Sequence, residues 1–235
     1  MLTDDLLELQ RIDTVSDQLR HRRSGLAERS AAASAHGELT ALERRTAALD
    51  ARAVELDEAI TAAERDGQVL SAQRARLEGQ LRTVIAPREA EALMHEIESI
   101  GRRRDELDDR ELEHLEEQAN VNTERTQLAQ DEPDARSRAG DADAALLTAE
   151  GEIDAEVERL AASRADVLAR VDTGWLRRYD QLRQRFGGVA IARLVGTRCD
   201  GCHLDLSTAE LDDIRHGPTD APAECPQCGR LLVTR

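Results

Sequence analysis

Hydrophobic residues in the first part of the chain recur at alternating steps of three and four residues. The pattern is unbroken from Leu39 to Val84, and nine of its fourteen positions hold Leu, Ile or Val. Its members are Leu39, Leu42, Thr46, Leu49, Ala53, Leu56, Ile60, Ala63, Gly67, Leu70, Arg74, Leu77, Leu81 and Val84. This alternation is typical of the seam of a left-handed coiled coil. A less regular apolar pattern continues upstream to Leu2, so we predict a first helix over most of residues 3–83.

A proline near the middle of the helical region indicates that the chain reverses. Pro87 is followed by Arg88-Glu89-Ala90, and proline suits the first turn of a helix but not its interior. We therefore predict a long antiparallel helical coiled-coil hairpin with its turn near residues 84–87. In such a hairpin the numbers of paired residues sum to about 171. The alternative is one continuous helix that dimerises in parallel with a second copy.

The second helix of this hairpin has a weaker apolar pattern. Leu93, Ile97 and Ile100 recur at helical spacing, and a similar pattern returns between Leu146 and Val171. Between these two parts, the sequence Asp-Glu-Pro-Asp at 131–134 is expected to kink or interrupt the helix, because an internal proline removes a backbone hydrogen bond. The small residues of 31–37 are expected to face residues 134–140.

An acidic stretch at residues 105–117 resembles the carboxylate-rich segments of some catalytic sites. On a helix, however, charges at this density are typical of a solvated face. We therefore expect the carboxylates to face water and Leu107, Leu112 and Leu115 to face inward.

Composition supports coiled-coil packing over a globular core. The chain of 235 residues contains one Trp, one Tyr and one Phe, and its formal charge is −16. Residues 1–172 carry 23 Arg against 40 Asp and Glu, whereas residues 173–235 carry 9 Arg against 8. An acidic helical region repels a phosphate backbone, so nucleic-acid binding along the helices is not expected.

The pattern changes after Val171, where a second module begins. Residues 173–186 predict a short helix with all three aromatic residues, and residues 189–195 predict a strand. Ser207 and Glu210 form a capping-box pattern before a predicted helix at 208–215, and the tail predicts a last strand. We therefore divide the chain into a hairpin domain at 1–172 and, at 173–235, a junction helix with a zinc ribbon.

Two pairs of cysteines in this module carry the clearest chemical signal. Cys199 and Cys202 are separated by two residues, as are Cys225 and Cys228. Two such pairs supply the four thiolates of a tetrahedral structural zinc site, so we predict one Zn²⁺. A c-type haem attachment site at Cys199–His203, a redox-active pair, two disulfides and a catalytic zinc are the alternatives. The haem site would need export, and the redox-active pair would need another fold. The disulfides would need an oxidising compartment, and a catalytic zinc would need an open coordination position.

The second candidate site is a group of arginines near the aromatic residues. Its members are Arg177, Arg178, Arg183, Arg185, Arg193 and Arg198. Aromatic rings among arginines can stack on the bases of single-stranded RNA. The favoured interpretation is simpler: the rings attach the ribbon to the hairpin, and the arginines are merely exposed.

The order of hairpin, Gly-Gly-strand, Cys-x-Gly-Cys-His and Cys-Pro-x-Cys-Gly-Arg-Leu-Leu-Val resembles a bacterial family that joins a coiled coil to a four-cysteine zinc ribbon. The segment from Arg88 to Ile97 is also similar. The resemblance implies zinc bound by the four cysteines and a role exerted through partners. Relatives in flagellated and type III-secreting bacteria are linked to an alternative sigma factor, export-apparatus proteins and flagellin mRNA. At the turn this chain has Ala90 where the family often has tyrosine.

These features predict a non-enzymatic adaptor that docks protein partners. An RNA- or nucleic-acid-binding regulator that uses the ribbon and the arginines is the alternative. We expect a cytoplasmic protein, monomeric or dimeric, because the sequence shows neither a secretory signal nor a membrane-spanning run.

Overall fold

The computed structural model describes residues 2–217 and 221–234, so residues 1, 218–220 and 235 of the two predicted domains lie outside it. Four helices come first: α1 (Leu2–Ser24), α2 (Ala27–Leu81), α3 (Pro87–Leu168) and α4 (Thr173–Arg185). The remaining elements are β1 (Ile191–Val195), β2 (Arg198–Cys199), α5 (Thr208–His216), β3 (Ala223–Glu224) and β4 (Leu231–Val233).

The fold contains two compact units. The ribbon unit comprises Met1–Ser30 and Asp143–Arg235, and the tip unit comprises Ala31–Ala142. The predicted boundary lay between residues 172 and 173. That division stays a prediction, and in these compact units both ends of the hairpin are grouped with the ribbon, because α1 and the end of α3 share its hydrophobic core.

The chain reverses between α2 and α3, as Pro87 predicted. The carbonyl oxygen of Gln80 accepts hydrogen bonds from the backbone N–H groups of Thr83 (3.0 Å) and Val84 (3.1 Å), which ends α2. Pro87 then occupies the first position of α3, where its missing N–H has no partner to lose. The antiparallel hairpin is confirmed, and the parallel dimer of one continuous helix is wrong.

Contacts across the tip unit confirm the predicted seam and register. The buried residues of α2 in this unit are Ala32, Leu49, Leu56, Ile60, Ala63, Gly67 and Leu77. All but Ala32 belong to the predicted pattern. Arg52 bonds Glu117 at 2.7 Å and Arg104 bonds the Gly67 carbonyl oxygen at 2.9 Å, so the numbers in these two pairs lie within two of the expected sum of 171. Farther from the turn the sums are larger, 175 for Asp50 with Arg125 and 176 for Glu38 with Arg138.

Arg104 is a polar residue at a seam position of α3, and a glycine opposite makes room for it. The guanidinium of Arg104 donates to the Gly67 carbonyl oxygen and the Ser71 hydroxyl, and it bonds Asp108 at 2.7 Å. A Cβ at residue 67 would lie 3.2 Å from the Arg104 Cζ atom. Because only this register satisfies the guanidinium, the polar layer favours one pairing of the helices.

The first helix is not continuous over residues 3–83. It ends at Ser24 and resumes at Ala27, and the Gly25 N–H is shared between the carbonyl oxygens of His21 (3.3 Å) and Arg22 (3.1 Å). Glycine has a low helix propensity, and such shared bonds are common at helix ends. The residue that breaks the helix was visible in the sequence, but one glycine alone does not predict a break.

Pro133 does not interrupt the second helix, contrary to our expectation. Helix α3 runs unbroken from Pro87 to Leu168. Proline removes the hydrogen bond to the carbonyl of Ala129, but Ala129 and Pro133 are both exposed, so water can satisfy that carbonyl. Glu38, one residue beyond the segment 31–37, forms an ion pair with Arg138 of the segment 134–140 at 3.7 Å.

The prediction that Leu112 and Leu115 face inward is also wrong. They are 58% and 41% exposed, whereas Leu107 is half-buried as expected. Beyond Leu107, the half-buried positions that continue at helical spacing are Glu111 and His114. These continue the steps of three and four from Ile100, so geometry places the two leucines one residue outside the seam.

The C-terminal elements match their predictions. The strands form one sheet in the order β2-β1-β4-β3, with β1 and β4 parallel. Helix α5 begins with the predicted capping box, in which the Glu210 N–H bonds the Ser207 hydroxyl and the Glu210 carboxylate bonds the Ser207 N–H at 2.7 Å. The small sheet therefore has a helix that begins at a fixed point beside the second cysteine pair.

One hydrophobic core joins α1, the end of α3, α4 and the ribbon sheet. Leu6, Leu9, Tyr179, Ile191 and Leu231 are at most 1% exposed and lie in this core. The backbone of β1 is also bonded directly to α1 through a side chain. The Gln10 amide oxygen accepts from the N–H groups of Ala190 (2.7 Å) and Ile191 (2.8 Å), and its nitrogen donates to the Ile191 carbonyl oxygen (2.8 Å).

Replacing Gln10 by alanine is expected to loosen the ribbon from α1. Two strand N–H groups and one carbonyl would lose their partner, which costs about 1–3 kcal/mol for each buried group left unpaired. Amide exchange of Ala190 and Ile191, followed by NMR, should accelerate at least tenfold. Gln18→Ala, on the same helix, is the control and should leave both amides unchanged. Equal protection of the two amides in both variants would contradict this role.

Candidate metal centre

Two turns of similar construction carry the four cysteines. Cys199 ends β2 and Cys225 follows β3 directly. In each turn the first cysteine's carbonyl oxygen accepts from the N–H four residues later, His203 or Gly229, at 2.8 Å. The first cysteine's N–H in turn bonds the carbonyl oxygen five residues later, that of Leu204 (3.1 Å) or Arg230 (2.8 Å). The two halves of the site are therefore folded in the same way.

Each turn closes with a residue in the left-handed conformation. Gly229 has φ 79°, which suits glycine, and His203 has φ 61°, a conformation that is uncommon outside glycine. His203 is exposed and does not belong to the cluster of the four cysteines. The third residue of the first turn is glycine for a different reason: a Cβ on Gly201 would lie 2.8 Å from the Ala192 Cβ and the Arg230 Cδ.

The four sulfur atoms have the spacing of a tetrahedral metal site. The Sγ atoms of Cys199, Cys202, Cys225 and Cys228 lie within 4.8 Å of one another, and the Cys202–Cys225 pair is 4.0 Å apart. A zinc ion with four Zn–S bonds of about 2.3 Å requires sulfurs about 3.8 Å apart. All four cysteines are free, and a disulfide would need about 2.05 Å. These residues thus fit one structural Zn²⁺, and the two-disulfide alternative is wrong.

The surroundings of the thiols set how readily each is deprotonated. Burial raises the pKa of the Cys199 thiol and raises the pKa of Cys225 to about 12, because a thiolate is poorly solvated there. Burial also opposes the Cys228 thiolate, but hydrogen bonds from the backbone and side chain of Arg230 lower the pKa of Cys228. Zinc must displace protons from the buried thiols, so its affinity falls as the pH decreases.

Arg230 is the cation that the structure places beside the cysteines. It bonds Cys228, donates to the Val189 carbonyl oxygen at 3.0 Å and stacks over the Phe186 ring at 4.2 Å. Arg198, next to Cys199 in the chain, donates to the His203 carbonyl oxygen at 2.7 Å. One arginine thus offsets the charge of a four-thiolate site, while the other stabilises the first turn.

The six arginines of the second candidate site are not one uniform patch. Arg178 forms an ion pair with Glu224 at 2.7 Å, and Arg183 bonds Asp17. Arg185 lies 5.1 Å from the centre of the Phe186 ring. The other members, Arg177, Arg193 and Arg198, are exposed. Among the residues that the structure describes, no carboxylate pairs with those three guanidinium groups.

The aromatic residues attach the ribbon to the helices, as the favoured interpretation held. Tyr179 is fully buried in the shared core, and Trp175 and Phe186 pack against it. A ring that is buried in this way cannot stack on a nucleic-acid base.

A buried carboxylate in the ribbon unit was not predicted from the sequence. Asp13 is 4% exposed and accepts hydrogen bonds from the Tyr179 hydroxyl (2.9 Å) and the Arg164 Nε (2.7 Å). Arg183 lies 3.7 Å away. Burial, with the Asp13 charge, raises the pKa of Tyr179, so the phenol stays protonated and donates. The sequence contained one signal for this site: Asp13, an acidic residue, lies at a seam position four residues after Leu9.

The fold and the cysteines define a class: helical coiled-coil hairpin proteins with a C-terminal zinc ribbon of four cysteines. Residues 9–187 match the CT398-like coiled coil hairpin domain, and residues 198–232 match the C4-type zinc ribbon domain. The chain belongs to the CT398-like coiled-coil hairpin family and holds one structural zinc ion.

Related proteins and structures agree with this assignment. The chain is 28% identical over 229 residues to the uncharacterized protein Rv2229c of Mycobacterium tuberculosis, covering 97% of this chain and 93% of that one. CT398 from Chlamydia trachomatis has the same fold, with a TM-score of 0.82 at 19% identity over 100% and 99% of the two chains. A Mycobacterium smegmatis structure matches with a TM-score of 0.77 at 22% identity over 99% and 98%.

Among the described residues, no helix is both long and apolar enough to cross a membrane.

Proposed function

We propose that the protein is a non-enzymatic adaptor that binds protein partners through its coiled-coil hairpin and zinc ribbon. Four thiolates fill the coordination sphere of the zinc, so no position is open for water or a substrate. The observation that carries the proposal is Ile85, which is 96% exposed in the turn between α2 and α3. A large apolar side chain presented in this way gains most by burial against another protein.

The partners implied by the family resemblance supply the first candidates. An alternative sigma factor and export-apparatus proteins are both proteins, as an apolar docking site requires. We place the adaptor in the cytoplasm, because four reduced cysteines that bind zinc suit a reducing compartment.

A nucleic-acid regulator is the second candidate. It is favoured by the exposed Arg177, Arg193 and Arg198, whose guanidinium groups have no carboxylate partner among the described residues. It is disfavoured by the burial of Tyr179 and by the packing of the other two rings. Binding through these arginines would release counterions, so its affinity would fall steeply as salt increases.

Replacing Ile85 by aspartate is expected to reduce the recovery of protein partners about tenfold. Burying one isoleucine contributes about 1.5–3 kcal/mol, and about 1.4 kcal/mol corresponds to a factor of ten in affinity. The measurement is affinity capture from native lysate, quantified by mass spectrometry, with and without nuclease. Leu147→Asp is the matched control, because Leu147 is also exposed (73%) but lies outside the turn. Loss of all partners after nuclease treatment would favour the nucleic-acid candidate instead.

A further inference from the structure

One flank of the tip unit carries large apolar residues that the hairpin does not bury. Val54 is 59% exposed, Leu112 is 58% exposed and Leu115 is 41% exposed. Coiled coils usually place polar residues at such positions. These three side chains therefore contribute neither to the packing of the seam nor to a polar surface. What they could bind depends on where they lie on the hairpin.

Ion pairs identify the two flanks of the seam. On the first flank, Arg45 bonds Glu124 at 2.6 Å and Arg52 bonds Glu117 at 2.7 Å. On the second flank, Arg125 bonds Asp50 at 2.7 Å. The first flank is thus closed by two arginine–glutamate pairs separated by one heptad on each helix.

The exposed apolar residues lie on the second flank. Asp57 follows Asp50 by seven residues and so repeats its position on α2. Val54 lies three residues before Asp57, which makes the two side chains neighbours on the helix surface.

The same relation holds on α3. Arg125 also contacts Asn122 at 3.3 Å, and Leu115 lies seven residues before Asn122. Leu112 precedes Leu115 by three residues. With paired numbers summing to about 171, Val54, Leu115 and Leu112 span about one and a half turns of the hairpin, or roughly 8 Å.

Carboxylates lie beside this apolar surface, on its side toward the turn between α2 and α3. Glu64 lies seven residues after Asp57, and Asp105 lies seven residues before Leu112, so both share the flank. Asp109 is three residues from Leu112. Within residues 2–217 and 221–234, no arginine forms an ion pair with Asp57, Glu64, Asp105 or Asp109. We call this surface the acidic flank: Val54, Asp57, Glu64, Asp105, Asp109, Leu112 and Leu115.

We propose that the acidic flank binds a basic amphipathic helix of a protein partner. Apolar residues of that helix cover Val54, Leu112 and Leu115, and its lysines or arginines face the unpaired carboxylates. A second copy of this chain fits less well, because residues 1–172 carry 40 acidic residues against 23 arginines and would repel their like. The proposal rests on the proposed adaptor function and specifies one class of partner for it.

The probe is a synthetic helical peptide with leucines in a three–four repeat and lysines elsewhere. Its binding to the zinc-loaded full chain is measured by fluorescence anisotropy at two salt concentrations. Two comparison peptides are used. One keeps the leucine pattern but has glutamates in place of the lysines, and the other keeps the lysines but has its leucines at scrambled positions. Only the first peptide is expected to bind tightly, because it alone matches both the apolar residues and the charge.

Variants of the chain locate the binding surface. The double variant Leu112→Gln, Leu115→Gln is expected to weaken peptide binding at least tenfold. The double variant Asp57→Asn, Asp109→Asn is expected to reduce the salt dependence of peptide binding. Val69→Gln is the matched control: Val69 is 61% exposed and lies three residues from Asp66, which repeats Arg52 on the first flank. The Val69→Gln variant should bind the peptide as the wild type does.

Three results would overturn the proposal. They are equal binding of the scrambled lysine peptide, no binding of any peptide, and a dimer in sedimentation that Leu112→Gln with Leu115→Gln converts to a monomer. Partner capture that depends on Ile85 but not on the acidic flank would reject this surface while leaving the adaptor function intact. Partner capture that depends on neither Ile85 nor the acidic flank would reject both proposals.

Discussion

The Cys225→Ser variant is expected to lose its zinc and to unfold the ribbon from about residue 189 to the C-terminus. A structural zinc supplies on the order of 10 kcal/mol to small modules of this kind, which bury too little apolar surface to fold without it. Cys225 is 1% exposed within the small core between β1, β4 and α5. A serine there cannot complete the set of four thiolates, so the second turn has nothing to hold it.

The shared core extends this effect to one helix outside the ribbon. Ile191 and Leu231 bury their side chains against Leu6 and Leu9 of α1, so α1 should also lose protection. The tip unit has its own seam and should keep its helices. Hydrogen exchange measured by mass spectrometry, before and after chelation, separates these regions.

Added zinc provides the control for this experiment. It should restore the chelated wild type but not the Cys225→Ser variant. Loss of protection across residues 31–142 on chelation would show that the tip unit depends on zinc, contrary to its separate hydrophobic seam.

Replacing Asp13 by alanine is expected to lower the free energy of unfolding of the ribbon unit by about 3–5 kcal/mol, as breaking a buried ion pair does. The Tyr179 hydroxyl and the Arg164 guanidinium would lose their acceptor, and the Arg183 Nε atom is already buried without a hydrogen bond. Chemical denaturation followed by the fluorescence of Trp175 reports on this unit, because the chain has a single tryptophan and it packs against that core.

Two further variants separate the charge from the hydrogen bond. Tyr179→Phe removes one hydrogen bond and should cost about 1–2 kcal/mol. Glu8→Gln breaks the exposed Glu8–Arg11 pair and should change the stability little, because water and salt screen it. If Asp13→Ala lowered the free energy of unfolding no more than Tyr179→Phe does, the pairing of Asp13 with Arg164 and Arg183 would contribute nothing to stability.

Most of the fold was predictable because its signals are local. The step of three and four residues follows from the helix repeat, and Pro87 excludes a continuous helix through its own geometry. Each cysteine pair forms a turn with hydrogen bonds inside five or six residues. The register near Gly67 was also predictable, since the length of the turn and the position of Pro87 fix it.

The errors arise where a residue's environment depends on the other helix. Pro133 was tolerated because Ala129, whose carbonyl it frees, is exposed, so water can satisfy that carbonyl. The pattern of α3 suggested that Leu112 and Leu115 were inward, although the seam set by the contacts of Arg104 and Arg52 passes one residue away.

The sequence by itself therefore determined the hairpin, the turn at Pro87 and the zinc ribbon, since each depends on neighbouring residues and covalent spacing. The tertiary structure alone decided that Gln10 bonds β1 and that Asp13 joins Arg164 and Tyr179. Those contacts link residues more than 150 positions apart, and their energy comes from excluding water between elements that packing brings together. No local pattern records which distant group will share that space.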